Sequence, residues 1–334
     1  NNSKMYKNQK DIIDLMIYNF DNNYNISNAC KEGNIDTIIL LIALGANKQK
    51  IFKYSCYEGH IEVVKMILNL DEYYYNDGLY NACEGGHIEI VKMMLELGAN
   101  NYNDGLYYAC KGGHLAVIKM MIELGATHYI SGLRGACEGG HLEIIKMMID
   151  LGVRDYEEGV KGACLGGHDA VVKMMLSLYK KYYSDNDRHI RAYEEGFLYA
   201  CLGGNLEIAK MLFKKCRVYN YYVFEYACKG GNIEIVKLII DNIPRYNNQK
   251  HYNEGLIYAC NKDNVELCKL FISYGAAKHD MLNSKNLALK ILYSRLTRKI
   301  IYLPIKKQHP EYHLLNVYNK HIPDIDRLIN KYLF

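Results

Sequence analysis

The sequence predicts an all-α solenoid, in which short helical pairs stack side by side, and three features predict it. First, nine of the eleven cysteines recur at intervals that are mostly 27 residues long, and a fixed period of this length is typical of repeat proteins. Second, a glycine pair divides most of the units into two halves. Third, the second half of a unit is apolar apart from one narrow polar stripe. The recurring cysteines are Cys30, Cys56, Cys83, Cys110, Cys137, Cys164, Cys201, Cys228 and Cys260.

Residues 102–128 illustrate the first half of a unit. Asp104 precedes a short run with apolar side chains, and Gly112 and Gly113 follow that run. An acidic residue before such a run and a glycine after it are start and stop signals of a helix. The sequence therefore predicts two helical turns that are capped by Asp104. The same position holds Asp77, Ser131, Glu158, Glu195 and Glu254 in other units.

The second half of this unit predicts another helix, over residues 115–124, which Gly125 ends. In the preceding unit, Glu89, Lys92 and Glu96 are spaced three and four apart, so they form one stripe of a helix. The other sides are apolar and need a cover that stacked copies of the pair can provide. Leucine-rich repeats have similar periods, but their L-x-x-L-x-L spacing does not occur here.

Nine units aligned on this frame cover residues 22–278. The polar insertion 183–192 is expected to form a protruding loop that either binds a partner or only divides the array into six and three repeats. Residues 247–251 form a second insertion. Residues 1–21 are interpreted as a degenerate N-terminal half-repeat or cap, and residues 279–334 as a basic helical C-terminal cap or docking segment. The units are 22–47, 48–74, 75–101, 102–128, 129–155, 156–182, 193–219, 220–246 and 252–278.

The repeated pattern A-C-x-G-G-H-x-E-I-V-K-M-M-L-E-L-G-A resembles the core of ankyrin repeats over residues 22–278. This resemblance implies an ankyrin-type α-solenoid of helix-turn-helix repeats. The T-P-L-H box of the family is replaced, and the period is shorter than the usual length of about 33 residues. The missing residues fall where the family carries a β-hairpin finger, so we expect short or absent fingers. The short form is similar to the ankyrin arrays of giant amoebal DNA viruses (mimivirus-like), which implies a viral protein.

Neither the cysteines nor the histidines predict a chemical centre. Helices that stack about 8–10 Å apart hold equivalent cysteines too far apart for a disulfide, which needs Cα atoms within about 7 Å. We therefore expect the thiols to fill the core. One histidine begins each second helix or is replaced by asparagine, which indicates a hydrogen-bonding role and not a four-ligand zinc site. The residues are His60, His87, His114, His141 and His168, with Asn34, Asn205, Asn232 and Asn264 in the other units.

The positions that vary between units indicate a binding surface. The sixth and tenth positions lie four apart on the first helix and therefore share one face. The ankyrin resemblance implies that this helix lines a concave groove where partners dock. Tyr and Arg often anchor interfaces, although the alternative is that the tyrosines only fill the space that absent fingers leave. The candidate partner-binding residues are Tyr80, Tyr107, Tyr108, Lys111, Arg134, Glu138, Lys161, Tyr199, Glu225 and Tyr226.

The sequence favours a non-catalytic scaffold that binds a protein partner, which for a viral protein would be a host protein. We find no catalytic constellation and no phosphate-binding loop, so we expect no enzyme activity, no cofactor, no metal and no small-molecule substrate. The first twenty residues resemble no signal peptide, and no run of about 18 apolar residues predicts a membrane span. We therefore expect an intracellular protein of the host cytoplasm, which is reducing and leaves thiols unpaired.

Two alternative functions depend on residues 279–334. This segment holds ten Lys or Arg against four Asp or Glu, so it is basic while the repeats are nearly neutral. One alternative is a substrate-recognition adaptor of a host ubiquitin ligase that uses this segment. The weaker alternative is contact with nucleic acid through the same basic residues.

Overall fold

The computed structural model describes residues 23–43, 46–69, 75–183, 186–216, 222–262 and 264–276. Within these ranges the regular structure is helical, with a short 3-10 helix at Pro244–Tyr246 and no strand, so the predicted all-α solenoid is confirmed. The predicted caps, 1–21 and 279–334, lie outside the described residues. The helices are α1 (Asn23–Glu32), α2 (Ile35–Ala43), α3 (Lys48–Glu58), α4 (Ile61–Leu68), α5 (Tyr75–Gly85), α6 (Ile88–Glu96), α7 (Tyr102–Gly112), α8 (Leu115–Glu123), α9 (Tyr129–Gly139), α10 (Leu142–Asp150), α11 (Tyr156–Gly166), α12 (Asp169–Tyr182), α13 (Asn186–Leu202), α14 (Leu206–Phe213), α15 (Val223–Gly230), α16 (Ile233–Asn242), α17 (Gln249–Asn261) and α18 (Val265–Ser273).

The helices alternate between the first and the second helix of a unit. Odd-numbered helices are first helices, and each packs against the first helices on either side of it. For example, α7 contacts α5, α9 and its own partner α8. The array is therefore held together mainly by contacts between neighbouring units, as in other solenoids.

The first helix begins about one turn earlier than the sequence predicted. Asn101 is the N-cap of α7, and its side chain accepts a hydrogen bond from the backbone N–H of Asp104 (3.5 Å). Asp104 lies in the first turn, where a carboxylate still suits the helix dipole. Asn47 and Asp155 cap α3 and α11 in the same way. The prediction that Asp104 caps the helix is wrong because Asn101, itself a strong capping residue, occupies the cap.

The glycine pair ends the first helix, as predicted, and also lets neighbouring units approach each other. Gly113 has a φ of +85°, a left-handed conformation that glycine adopts without strain. Gly112 is helical, but a Cβ at this position would lie 2.0 Å from the carbonyl oxygen of Glu84 in the preceding unit. The two glycines therefore have different roles: one makes the turn and the other permits close stacking.

The second helix ends in a tight turn that leaves no room for a finger. After α8, the N–H of Ala126 donates to the carbonyl of Met121 (2.9 Å), and the N–H of Gly125 donates to that of Ile122 (3.0 Å). This pairing satisfies carbonyls that a helix end otherwise leaves free. The next first helix begins at Tyr129, so the expectation of a short or absent finger is confirmed here.

The core runs along the array between first and second helices. Leu106 and Cys110 of α7 and Met121 of α8 are fully buried, at 0% exposure. Ten of the eleven cysteines are buried and Cys216 is half-buried, all with free thiols, so the core-filling prediction is confirmed for the recurring set. Burial raises the pKa of Cys110 to about 12.

The polar stripe of the second helices is exposed, as the pattern predicts. Glu89, Lys92 and Glu96 all face the solvent on α6. Leu97 at the end of this helix is 41% exposed, although the sequence pattern groups it with the enclosed residues. The helix ends at Glu96, so Leu97 belongs to the turn and is not covered by the neighbouring unit.

The insertion after the sixth unit is largely helical. Residues 186–192 form the beginning of α13, and Ala192 within it is fully buried. The prediction of a protruding loop is therefore wrong for these residues, because they extend the first helix of the following unit. The array is also not divided at this point, since α11 packs against α13.

Candidate functional site

The ten candidate residues lie on six consecutive first helices, α5 to α15. All ten are half-buried, so the face that they form is packed within itself and only partly open to solvent. We call this set, together with the residues that pair with it, the first-helix face.

Three tyrosines pack together at one end of this face. The rings of Tyr80 and Tyr108 are stacked, with centroids 5.4 Å apart, and Tyr107 meets Tyr108 edge-on at 5.0 Å. Aromatic pairs of these geometries stabilise beyond the area that they bury. Asn101, the cap of α7, donates from Nδ2 to the Tyr80 hydroxyl (2.7 Å). The cluster therefore links α5 to α7.

Charged residues continue the face towards the next unit. Lys111 Nζ lies 3.2 Å from Glu84 and 3.1 Å from Glu138, which occupy the same position in the units before and after it. Burial alone would lower the pKa of Lys111. The hydrogen bond to Glu138 and the negative charge of Glu138 have the larger effect, so the pKa of Lys111 is raised. Tyr107 also donates a hydrogen bond to Glu138. Glu138 is thus a shared acceptor for two residues of α7.

Arg134 spans two units of the array. Its Nη1 lies 3.1 Å from Glu158 on α11, and its guanidinium lies over the ring of Tyr199 on α13, 5.2 Å from the centroid. A Cβ at Gly162 of α11 would lie 2.3 Å from the backbone carbonyl oxygen of Arg134, so the glycine lets α9 and α11 pack closely. Lys161 pairs with Glu158 at 2.9 Å and with Glu157 at 3.0 Å.

The last part of the face is aromatic and cationic. Tyr199 and Tyr226 meet edge-on, with centroids 6.2 Å apart. Lys229 lies 5.7 Å from the ring centroid of Tyr226 and 5.8 Å from that of Tyr258, which is a cation–π arrangement. Its Nζ is also 2.6 Å from Glu225. The structure therefore brings all ten candidates into one connected strip.

Sequence reasoning did not include several residues of this strip in the candidate set. Glu84 and Lys229 were omitted, while Asp104 and Glu158 were assigned to helix caps. The sequence did contain a signal for Glu84, since the tenth positions Glu84, Lys111 and Glu138 alternate in charge. Opposite charges at one position of stacked units are expected to pair.

A shallow cleft of about 380 Å³ opens in the middle of the face, between α7 and α9. We call it the Tyr107–Arg134 cleft. Its lining combines two carboxylates, one guanidinium, a hydroxyl, an aromatic ring and an aliphatic side chain. The lining residues are Asp104, Tyr107, Ile130, Ser131, Arg134 and Glu158.

The recurring histidines join neighbouring units, because the imidazole ring of one unit contacts a backbone carbonyl of the preceding unit. Nε2 of His141 lies 2.9 Å from the carbonyl oxygen of Lys111, and Nε2 of His168 lies 2.9 Å from that of Glu138. These carbonyls end first helices and have no partner within the helix. Asn232 makes the same bridge to Gly204 (2.9 Å) and also caps its own helix. The predicted hydrogen-bonding role is confirmed, and the bond crosses between units.

No helix among the described residues has the length and apolar character to cross a membrane. No group of three or more His, Cys, Asp or Glu side chains there has an arrangement that could hold a metal ion.

Comparisons with known proteins agree with the repeat pattern. A family model described as ankyrin repeats (many copies) matches residues 79–122. The crystal structure of the human ASB11 ankyrin repeat domain is similar, with 20% sequence identity, 56% of this chain and 96% of that chain covered, and a TM-score of 0.31. No curated protein matches the chain. Ankyrin repeats are therefore recognised over residues 79–122.

Proposed function

We propose that the chain is a non-catalytic protein-binding scaffold whose partner docks on the first-helix face. Ankyrin repeats generally mediate protein–protein interaction, which supports a protein as the ligand. The observation that carries the proposal is the connected strip that runs from Tyr80 to Tyr226 across consecutive units.

The composition of the strip supports this role. Tyr and Arg bury a large area for few rotatable bonds and often dominate binding energy. Their mutual contacts hold the side chains in place before a partner arrives, which lowers the entropy lost on binding. Because many of these contacts join different units, the strip also needs the whole array to be stacked.

The test compares two triple variants of the full chain. In one, Tyr80, Tyr107 and Arg134 become Ala; in the control, Lys92, Lys119 and Lys146 on the exposed second-helix stripe of the same three units become Ala. Each immobilised protein is used to capture partners from an extract of its natural cell. We expect the first variant to capture at least about tenfold less, a loss of about 1.4 kcal/mol, and the control to capture as the natural chain does.

Circular dichroism shows whether the helices remain intact in both variants. Equal capture by the two variants, with intact helices, would show that the partner does not use the first-helix face. From the sequence alone we also propose a viral origin, a host partner and a cytoplasmic location. The ubiquitin-ligase and nucleic-acid alternatives depend on residues 279–334, which lie outside the described residues.

A further inference from the structure

The first helices in the middle of the array carry excess negative charge. Helices α5, α7, α9 and α11 hold six carboxylates and three cations, which gives a net charge of 3 − 6 = −3. Each of the three cations is already paired with at least one of these carboxylates. Lys53 of the adjacent helix α3 pairs with Asp77, so the excess that remains is 4 − 6 = −2. The carboxylates are Asp77, Glu84, Asp104, Glu138, Glu157 and Glu158, and the cations are Lys111, Arg134 and Lys161. This surface therefore favours a cationic ligand.

Asp104 is the carboxylate that an incoming cation can reach. It is exposed, and its Oδ2 accepts a hydrogen bond from Asn101 Nδ2 (2.6 Å). Among the described residues no cationic side chain pairs with it. Asp77, at the same position in the preceding unit, is instead paired with Lys53 at 2.9 Å. Asp104 also hydrogen-bonds with the Tyr80 hydroxyl. Among the described carboxylates of the Tyr107–Arg134 cleft, it is therefore the one that no cationic side chain neutralises.

The remaining walls of the cleft suit the stem of a basic side chain. Ile130 is 45% exposed although it is a large aliphatic residue. The Tyr107 ring lies in the same lining and can face a cation or an alkyl chain.

We propose that the Tyr107–Arg134 cleft receives a lysine or arginine side chain of the protein partner, an inference that rests on the proposed function. The cationic group pairs with Asp104, and its stem packs between Tyr107 and Ile130. The partner segment is therefore an exposed basic stretch.

The experiment follows methyl NMR signals of the full chain, labelled at the isoleucine methyl groups, during titration with N-acetyl-arginine methylamide. The Ile130 signal is assigned with Ile130→Val. We expect a saturable shift of this signal and a dissociation constant in the millimolar range, as is usual for so small a probe. The citrulline analogue has nearly the same shape without the charge, and it should bind at least about tenfold more weakly.

Two matched variants test the role of Asp104. Asp104→Asn should weaken arginine binding about tenfold, because it removes the charge that pairs with the probe. Asp77→Asn, which alters the equivalent residue outside the cleft, should change binding by less than about twofold. Equal effects of the two variants, or equal binding of the arginine and citrulline probes, would overturn the proposal, and so would an Ile130 signal that does not move.

The outcome is separable from that of the scaffold test. If the Ile130 signal does not move but the Tyr80, Tyr107 and Arg134 triple variant still loses its partner, the cleft inference fails and the scaffold proposal stands. If the probe binds at Ile130 but capture does not depend on the first-helix face, the scaffold proposal fails while the cleft remains a cation site.

Discussion

Tyr107 and Glu138 join two neighbouring units, because the Tyr107 hydroxyl on α7 donates a hydrogen bond to the Glu138 carboxylate on α9. Burial and this acceptor raise the pKa of Tyr107 well above its usual value, so the phenol stays protonated and remains a donor. Glu138 also holds Lys111. The pair therefore belongs to the folded stack as well as to the proposed binding face.

Replacing Tyr107 with Phe should destabilise the packing between neighbouring units and leave the aromatic part of the first-helix face in place. The ring remains, but Glu138 loses one donor, and we expect the free energy of unfolding to fall by about 1 kcal/mol. Urea denaturation followed by circular dichroism measures the change. Tyr226→Phe serves as the control, because the Tyr226 ring contacts do not involve its hydroxyl. A fall of the same size in both variants would contradict the role of the Tyr107 hydroxyl.

Gly112→Ala should be more destabilising than its helical position suggests. Within an exposed helix this change would stabilise by about 1 kcal/mol, but here the new Cβ would meet the carbonyl oxygen of Glu84 at 2.0 Å. We expect a net loss of about 1–3 kcal/mol, as in other overpacked sites.

Gly125→Ala provides the comparison for Gly112→Ala. Gly125 has a φ of +102° but nothing within 4 Å of a Cβ, so only the backbone conformation is strained, at about 1–2 kcal/mol. Urea unfolding of both variants separates the cost of the close contact at residue 112 from the cost of the backbone conformation at residue 125. A neutral or stabilising Gly112→Ala would show that α5 and α7 do not pack as closely as described.

The histidine bridge can be tested by removal and by rescue. His141→Ala leaves the carbonyl of Lys111 without its partner, and we expect a loss of about 1–3 kcal/mol in unfolding free energy. His141→Asn should recover a large part of this loss, because Asn205 already donates to the carbonyls of Cys164 and Leu165 at the equivalent place. Equal losses for the Ala and Asn variants would rule out the hydrogen bond as the cause.

Stability should fall in alkali because of the buried thiols. Burial raises the pKa of Cys83, Cys110 and Cys137 from 9.0 to about 12. Above pH 9 the unfolded chain loses these protons and the folded chain keeps them, so stability that is present below pH 9 is lost as the pH rises towards 12. Each thiol contributes a slope of up to about 1.4 kcal/mol per pH unit.

The measurement is urea unfolding at pH 8, 9 and 10. Replacing Cys83, Cys110 and Cys137 together with Ala removes three titrating groups and should flatten the decline, although tyrosines with raised pKa values, such as Tyr107, contribute to the rest of it. If the free energy of unfolding fell as steeply with pH in the triple variant as in the natural chain, these thiols would not be the cause of the alkaline decline.

The repeat frame could be predicted because stacking imposes the same demands on each unit. Gly112 must pass close to a neighbouring backbone and Cys110 must be small, so their equivalents recur at a fixed spacing and are visible in a single sequence. The cap at Asn101 was missed because Asp104, in the first turn of the same helix, carries an equally good capping side chain.

The contacts of the first-helix face were harder to predict. Arg134 meets Tyr199 across an entire intervening unit and across the insertion 183–192, which the sequence pattern interprets as a loop. Helix α13, which begins within that insertion, packs against α11 and so places Tyr199 within reach of Arg134. The candidate residues could thus be proposed from their variability, while their partners depended on the three-dimensional stacking.

The alternating signs of Glu84, Lys111 and Glu138 limit how such an array can change in length. Loss of residues 102–128 as one block would remove Lys111 and bring Glu84 beside Glu138, and two adjacent carboxylates repel each other. Duplication of any one of the three blocks would also place two like charges side by side, whereas duplication of two neighbouring blocks would preserve the order of signs. In this part of the array, adding two blocks together is therefore better tolerated than adding one.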